Sequence, residues 1–150
     1  MVRSSSTGCG GRVTISTLVD TNIFIDVLGN GPFMLHSTRV LRQSTADGPI
    51  ILSAIVWSEL SLWSDEADEI DRRIAWMRPA RQDFPFEAAY PAGRAHRLYR
   101  QRGGRRERTL PDFLIGAHAM VAGHRLLTRD ASRYRAYFPD LHIICPETHP

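Results

Sequence analysis

The sequence predicts a three-layer α/β domain in which a mainly parallel central sheet of about five strands carries helices on both faces. Two observations carry that prediction. Short apolar runs at Val13–Val19, Ile50–Leu52, Leu126–Thr128 and Leu141–Cys145 alternate with helix-length segments, the pattern of parallel strands joined by helical crossovers. In addition, Asp20, Asp112 and Asp130 stand just past strands or at helix starts, with Glu59 in the helix that follows Ile50–Leu52, around the region where open parallel sheets bind their ligands.

The chain has 150 residues, which suits one domain over 13–150 behind a tail, 1–12, expected to be disordered. A domain of that length buries roughly 68–70% of its unfolded surface without staples. Its 43% hydrophobic and 23% charged residues are ordinary for a water-soluble globule. Net charge is +3, and all 19 of the Lys and Arg residues are Arg. Basic chemistry here is therefore guanidinium chemistry, suited to phosphate and carboxylate and unsuited to proton transfer. Cys9 and Cys145 make neither a disulfide framework nor a zinc site, which fits a reducing cytoplasm. The Ser/Gly-rich start lacks the apolar stretch of a signal peptide, and no run reaches the ~20 apolar residues of a membrane span.

Taken in order, Val13–Val19 reads as the first strand, and Asn22–Leu28 as a helix stopped by Gly29-Asn30-Gly31-Pro32. Leu35–Ala46 has helical spacing and ends at Asp47-Gly48-Pro49, which introduces the strand Ile50–Leu52. Ser53 is placed to cap a helix over Ala54–Trp63. Asp65–Met77, acidic first and Arg-bearing later, has the polarity a helix dipole favours. Gln82–Phe86 is a candidate third strand, restricted to a sheet edge by Pro85. Glu87–Arg102 is an amphipathic helix ended by Gly103-Gly104, and Pro111–Ala122, apolar nearly all round, is a buried helix ended by Gly123. The strand Leu126–Thr128, a short helix from Asp130 to Tyr137 and the strand Leu141–Cys145 complete the alternation.

Each acid has a plain alternative. A step of about 100° per residue from Ile55 sets Glu59 within an apolar arc of Leu62, Ile55, Trp63, Val56 and Leu60, where a carboxylate needs a cation or an Arg partner. Thr109, Pro111 and Asp112 form a helix start in which Asp112 holds the capping-box position, and Gly116, one turn on, permits close approach. Asp130 has the position of a helix cap, and Asp20 that of an Asx-turn residue. Asp26, Asp47, Asp65 and Asp68 read as solvated or capping acids. If the strand ends and helix starts converge, these four carboxylates repel one another and raise each other's pKa values. An oxygen-only set of that kind selects a hard divalent ion, Mg²⁺ or Mn²⁺.

Asp20-Thr-Asn-Ile, Ser53-Ala-Ile-Val-Trp-Ser-Glu59-Leu, Pro111-Asp112-Phe-Leu-Ile-Gly-Ala-His-Ala and Leu127-Thr-Arg-Asp130 together resemble the ordered acidic motifs of the PIN-domain nucleases, most closely the VapC-type toxins of bacterial toxin–antitoxin pairs. The resemblance runs from about Val13 to Cys145. It implies Asp20, Glu59, Asp112 and Asp130 as metal-binding acids, Asn22 and Thr128 as polar neighbours, and strand order 3-2-1-4-5. It further implies RNA cleavage by metal-activated water, a homodimer, and neutralisation by a cognate antitoxin. The tail before Val13 and the Arg105-Arg-Glu-Arg108 loop are longer than that pattern.

Seven arginines, Arg94, Arg97, Arg100, Arg102, Arg105, Arg106 and Arg108, precede Asp112. They form either a solvated face or an RNA track, with Arg102, Arg105 and Arg106 the leading phosphate contacts and Arg72, Arg73 and Arg129 the next candidates. Tyr99, Trp57 and Trp63 are candidate base-stacking residues, and Phe33, Met34 and Trp57 candidate partner contacts. Two other functions compete. A catalytically inactive PIN fold could serve only as an RNA- or protein-binding module. A Mg²⁺-dependent phosphoacceptor or phosphatase domain also gathers acids at strand ends, but uses a Lys that this chain lacks.

Overall fold

A computed structural model describes residues 13–105 and 109–146; the expected tail 1–12 and Arg106 lie outside the described residues. Five strands, β1 (Thr17–Val19), β2 (Ile50–Ser53), β3 (Ala80–Gln82), β4 (Arg125–Leu127) and β5 (Ile143–Ile144), form one sheet in the order β3-β2-β1-β4-β5. Every pairing is parallel. Between them run α1 (Thr21–Leu28), α2 (Met34–Asp47), α3 (Ala54–Leu60), α4 (Ala67–Ile74), α5 (Ala89–Gln101), α6 (Leu110–Ala122) and α7 (Ala131–Tyr137).

β1 is the central strand because it is apolar enough to be covered on both faces, and Leu18 and Val19 are wholly buried. It is shorter than Val13–Val19: pairing with β2 and β4 begins at Thr17, and Val13 is 84% exposed. Ile15 is tied instead to the α2–β2 turn, its N–H donating to the Asp47 carbonyl at 2.9 Å. Asp47 also anchors this end of the sheet through Arg125, whose Nη2 lies 2.6 Å from Oδ2 while its Nε donates to the Thr17 hydroxyl at 2.7 Å.

Other boundaries also differ from the sequence reading: the last two strands are Arg125–Leu127 rather than Leu126–Thr128 and Ile143–Ile144 rather than Leu141–Cys145. The third strand is Ala80–Gln82 rather than Gln82–Phe86, so Pro85 falls after the edge strand and removes no ladder bond. α3 stops at Leu60, and the turn that follows turns Leu62 out to 91% exposure. The segment 65–77 is a helix only from Ala67 and tightens into a 3₁₀ turn over Ala75–Met77. Ser53 caps α3 as its residue type predicts, its hydroxyl accepting from the Ile55 N–H at 3.1 Å.

α6, expected from the sequence as a buried helix, has Phe113, Ile115, Ala117, His118 and Ala119 inside, whereas Leu110, Met120 and Val121 near its ends are exposed. His118 is held there by Gln82. Nε2 of His118 and of His124 lie 2.8 and 2.7 Å from the same Gln82 Oε1, and Ser16 Oγ lies 2.6 Å from His124 Nδ1. An amide oxygen only accepts, so both imidazoles carry their proton on Nε2 and Ser16 donates to His124. That tautomer leaves the buried Nδ1 of His118 with no partner among the described residues. Burial first, and His124 second, push its pKa down to about 4.

Candidate active site

Asp20 follows β1 directly, and its N–H donates to the Leu127 carbonyl at 2.9 Å, which sets the ends of β1 and β4 side by side. The carboxylate caps α1, Oδ1 accepting from the Thr21 N–H at 2.7 Å. Oδ2 accepts from the Thr128 hydroxyl at 2.8 Å and from the Tyr134 hydroxyl at 3.0 Å. The turn role and a role in a site thus coexist in one side chain. Asp20 is only 5% exposed, and no cation contacts it among the described residues. Burial raises its pKa to about 6 against the pull of those hydrogen bonds, with a smaller upward push from the charge of Asp112.

The other three acids share its crevice, a cavity of about 290 Å³ lined by Asp20, Thr21, Asn22, Ile25, Glu59, Asp112, Arg129 and Asp130. Glu59 is half-buried rather than central in an apolar stripe, because α3 ends before Leu62 and Trp63 can wrap it. Its Oε1 accepts from the Thr21 hydroxyl at 2.6 Å. Asp112 forms the expected capping box with Thr109, accepting from the Thr109 N–H at 3.2 Å through Oδ2. Asp130 precedes α7 without a side-chain cap bond; the Thr128 hydroxyl accepts from its N–H at 3.0 Å, and its Oδ2 lies 3.4 Å from Asn22 Nδ2. Asn22 and Thr128 lie 3.4 Å apart, Asn22 against Asp130 and Thr128 against Asp20.

The donor set is carboxylate oxygen alone, and Glu59, Asp112 and Asp130 each have one oxygen without a hydrogen-bond partner among the described residues. That chemistry fits Mg²⁺ or Mn²⁺. Among the described residues no three metal-binding side chains converge into a ready-made cage, so the acids share a crevice without closing on a common point. Like charges in one crevice stand off from one another, and each carboxylate here is tethered by a donor from its own neighbourhood.

Comparison with known proteins follows from this geometry. A family model described as the PIN domain matches residues 17–139, which takes in every strand except β5 and all four acids. The chain belongs to the PIN-domain family. Among solved structures, the PIN domain here is similar to VapBC2 from Rickettsia felis bound to a promoter DNA fragment, at TM-score 0.68 and 20% identity over 87% of this chain and 98% of that one. It is similar to VapBC-1 from nontypeable Haemophilus influenzae, at TM-score 0.66 and 20% identity over 89% and 99%. FitAcB from Neisseria gonorrhoeae matches at TM-score 0.62 and 21% identity over 87% and 98%. No curated protein sequence matches.

Three participants in this PIN-domain site escaped the sequence reading. Thr21 and Tyr134 act through hydroxyls whose targets, Glu59 and Asp20, lie far away in the chain. Tyr134 is brought in because Gly116 of α6 leaves room for it: a Cβ there would stand 3.0 Å from the Tyr134 ring and 2.5 Å from Phe138. Asp26 is not a solvated or capping acid but is 8% exposed and paired with Arg129, Nε to Oδ2 at 2.7 Å. Its position on the inner side of α1, among Ile23, Phe24 and Leu28, was the available signal.

The arginine segment is exposed as far as it is described. Arg94, Arg97, Arg100, Arg102 and Arg105 all face solvent, and the Arg102 guanidinium lies 5.8 Å from the Tyr137 ring centre. Tyr99 is turned inward against Phe113, its hydroxyl donating to the Arg105 carbonyl at 2.7 Å, so it braces that loop rather than offering a free stacking face. Of the other candidate stacking and partner residues, Trp57 lies under Arg81, Trp63 under Arg73 and Phe33 under Arg129, and Met34 is half-buried. No helix among the described residues is long and apolar enough to cross a membrane.

Proposed function

We propose that this chain is a Mg²⁺- or Mn²⁺-dependent endoribonuclease and the toxin of a toxin–antitoxin pair. The observation that carries the reading is Asp20, a buried carboxylate without a cationic contact among the described residues, in a crevice lined by three more acids. Retaining such an arrangement is costly unless a cation joins it. A binding module that never held a metal would have no use for it.

Asp20, Glu59, Asp112 and Asp130 would hold the ion. Thr21, Thr128 and Tyr134 fix the Asp20 carboxylate by donating to it, and the Thr21 hydroxyl orients Glu59. A bound divalent ion supplies a Lewis acid for the scissile phosphate and lowers the pKa of the attacking water. Asn22 and Thr128 keep the β4–α7 turn against α1, and so keep Asp130 facing Asp20. RNA would approach over Arg102, Arg105 and Arg106, whose charges offset the acidity of the crevice. A similar solved structure is a toxin–antitoxin complex from Klebsiella pneumoniae, which supports a cognate antitoxin as partner; a homodimer in the cytoplasm completes the reading.

Cleavage of single-stranded RNA is measured with Mg²⁺, Mn²⁺ and EDTA, for the parent and for Asp20→Asn and Asp112→Asn. Cleavage dependent on the ion and lost in both folded variants is expected, and undiminished cleavage in EDTA would refute the mechanism. Expression alone should arrest growth, and co-expression with the product of a small neighbouring gene should restore it.

A further inference from the structure

A guanidinium in a crevice of four carboxylates is expected to fold onto them. Arg129 does not. It lines the crevice beside Asp20, Glu59, Asp112 and Asp130, yet its Nε donates to Asp26 Oδ2 at 2.7 Å. The same Asp26 oxygen accepts from the hydroxyl of Ser37, wholly buried in α2, at 2.6 Å. The flat guanidinium rests on Phe33, 4.4 Å from the ring centre, a contact favourable in itself. The Arg129 N–H donates to Asn22 Oδ1 at 3.3 Å, so the backbone is held as well. Both terminal nitrogens lack a hydrogen-bond partner among the described residues.

We propose that Arg129 binds the phosphodiester of the substrate at the acidic crevice, and that Asp26 is the residue that positions it. This rests on the nuclease reading above. Asp26 and Phe33 hold the guanidinium by one edge and one face, which leaves its terminal N–H groups for a phosphate oxygen. They also keep the Arg129 charge off the four acids, where it would compete with a divalent ion. A pair serving only to staple α1 to the β4–α7 turn would have neither effect.

Two affinities separate these outcomes: Mn²⁺ binding by calorimetry, and binding of a single-stranded RNA in Ca²⁺, which supports binding while suppressing cleavage. Arg129→Gln should bind Mn²⁺ as the parent does and RNA roughly tenfold more weakly, the loss expected for one charged contact. Asp26→Asn should weaken Mn²⁺ binding, because the released Arg129 falls onto the acids. The double variant Asp26→Asn/Arg129→Gln should regain the parental Mn²⁺ affinity but not the RNA affinity. Unchanged RNA affinity in Arg129→Gln overturns the proposal, as does a Mn²⁺ defect in Asp26→Asn that persists in the double variant. Should Asp26→Asn fail to fold, the RNA affinity of Arg129→Gln alone still decides whether Arg129 holds the phosphodiester. A parent that binds no Mn²⁺ would overturn the nuclease reading itself, whereas a parent that binds it alongside indistinguishable variants would overturn only the role of Arg129.

Discussion

The Tyr134 hydroxyl donates to Asp20 Oδ2 across 3.0 Å, joining residues 114 positions apart and tying α7 to the end of β1. The bond exists because Gly116 lets the Tyr134 ring lie against α6. It stabilises the charged form of a buried carboxylate that no cation contacts among the described residues. Tyr134→Phe should therefore destabilise the metal-free protein by ~1.5–3 kcal/mol at neutral pH, the range for a hydrogen bond to a charged group. Chemical denaturation at pH 7.5 and pH 4 checks this: a deficit of the same size at both would mean lost packing rather than a lost bond to the carboxylate.

Asp20 itself has a folded pKa near 6, above its ordinary 3.8. Its contribution to stability is therefore fullest below pH 4 and declines as pH rises through 6. In a chelator, the stability of Asp20→Asn relative to the parent should improve by ~3 kcal/mol between pH 4 and pH 7, from about two units at 1.36 kcal/mol each. Comparing one variant at two pH values removes the pH-independent cost of its altered hydrogen bonds. A flat difference across that interval would count against a buried, unpaired carboxylate.

His118 runs the other way. Its pKa is pushed down to about 4 by burial and by His124, so the neutral ring stabilises the fold above pH 6.5 and that contribution is lost as pH falls toward 4. His118→Leu should be less stable than the parent at pH 7, and the gap should narrow by up to ~3 kcal/mol at pH 4. NMR titration of the His118 ring gives an independent reading; a midpoint near 6.5 would refute the assignment.

The arginines before α6 should be read through salt. Each phosphate contact adds about 0.7 to the negative slope of log affinity against log salt for single-stranded nucleic acid. Replacing Arg102, Arg105 and Arg106 with Gln should flatten that slope by about two if all three touch phosphate, with Mn²⁺ binding intact. Parallel lines of equal affinity would return these residues to a solvated surface.

The alternation of apolar runs and helical segments determined a parallel α/β sheet, because a strand covered on both faces must be apolar throughout, as Leu18, Val19, Leu126 and Leu127 are. The same local logic located Asp20, Asp112 and Asp130, whose positions as turn or helix-start residues depend on near neighbours in the chain, while Asn22 and Thr128 came from the resemblance to the PIN-domain nucleases. It marked Glu59 as well, though from an arc that α3 is too short to make. Strand ends were misjudged where pairing decides them: Val13 has the composition of a strand but no partner strand on either side, whereas Ala80 lacks that composition and pairs with Ile51. Only the tertiary structure decided which hydroxyls reach Asp20 and Glu59, and that Asp26 turns inward to take Arg129. Those contacts join residues dozens to more than a hundred positions apart, and their energy comes from burial and hydrogen-bond geometry. No period or cap in the sequence encodes such a distance, because it depends on how the helices stack across the sheet.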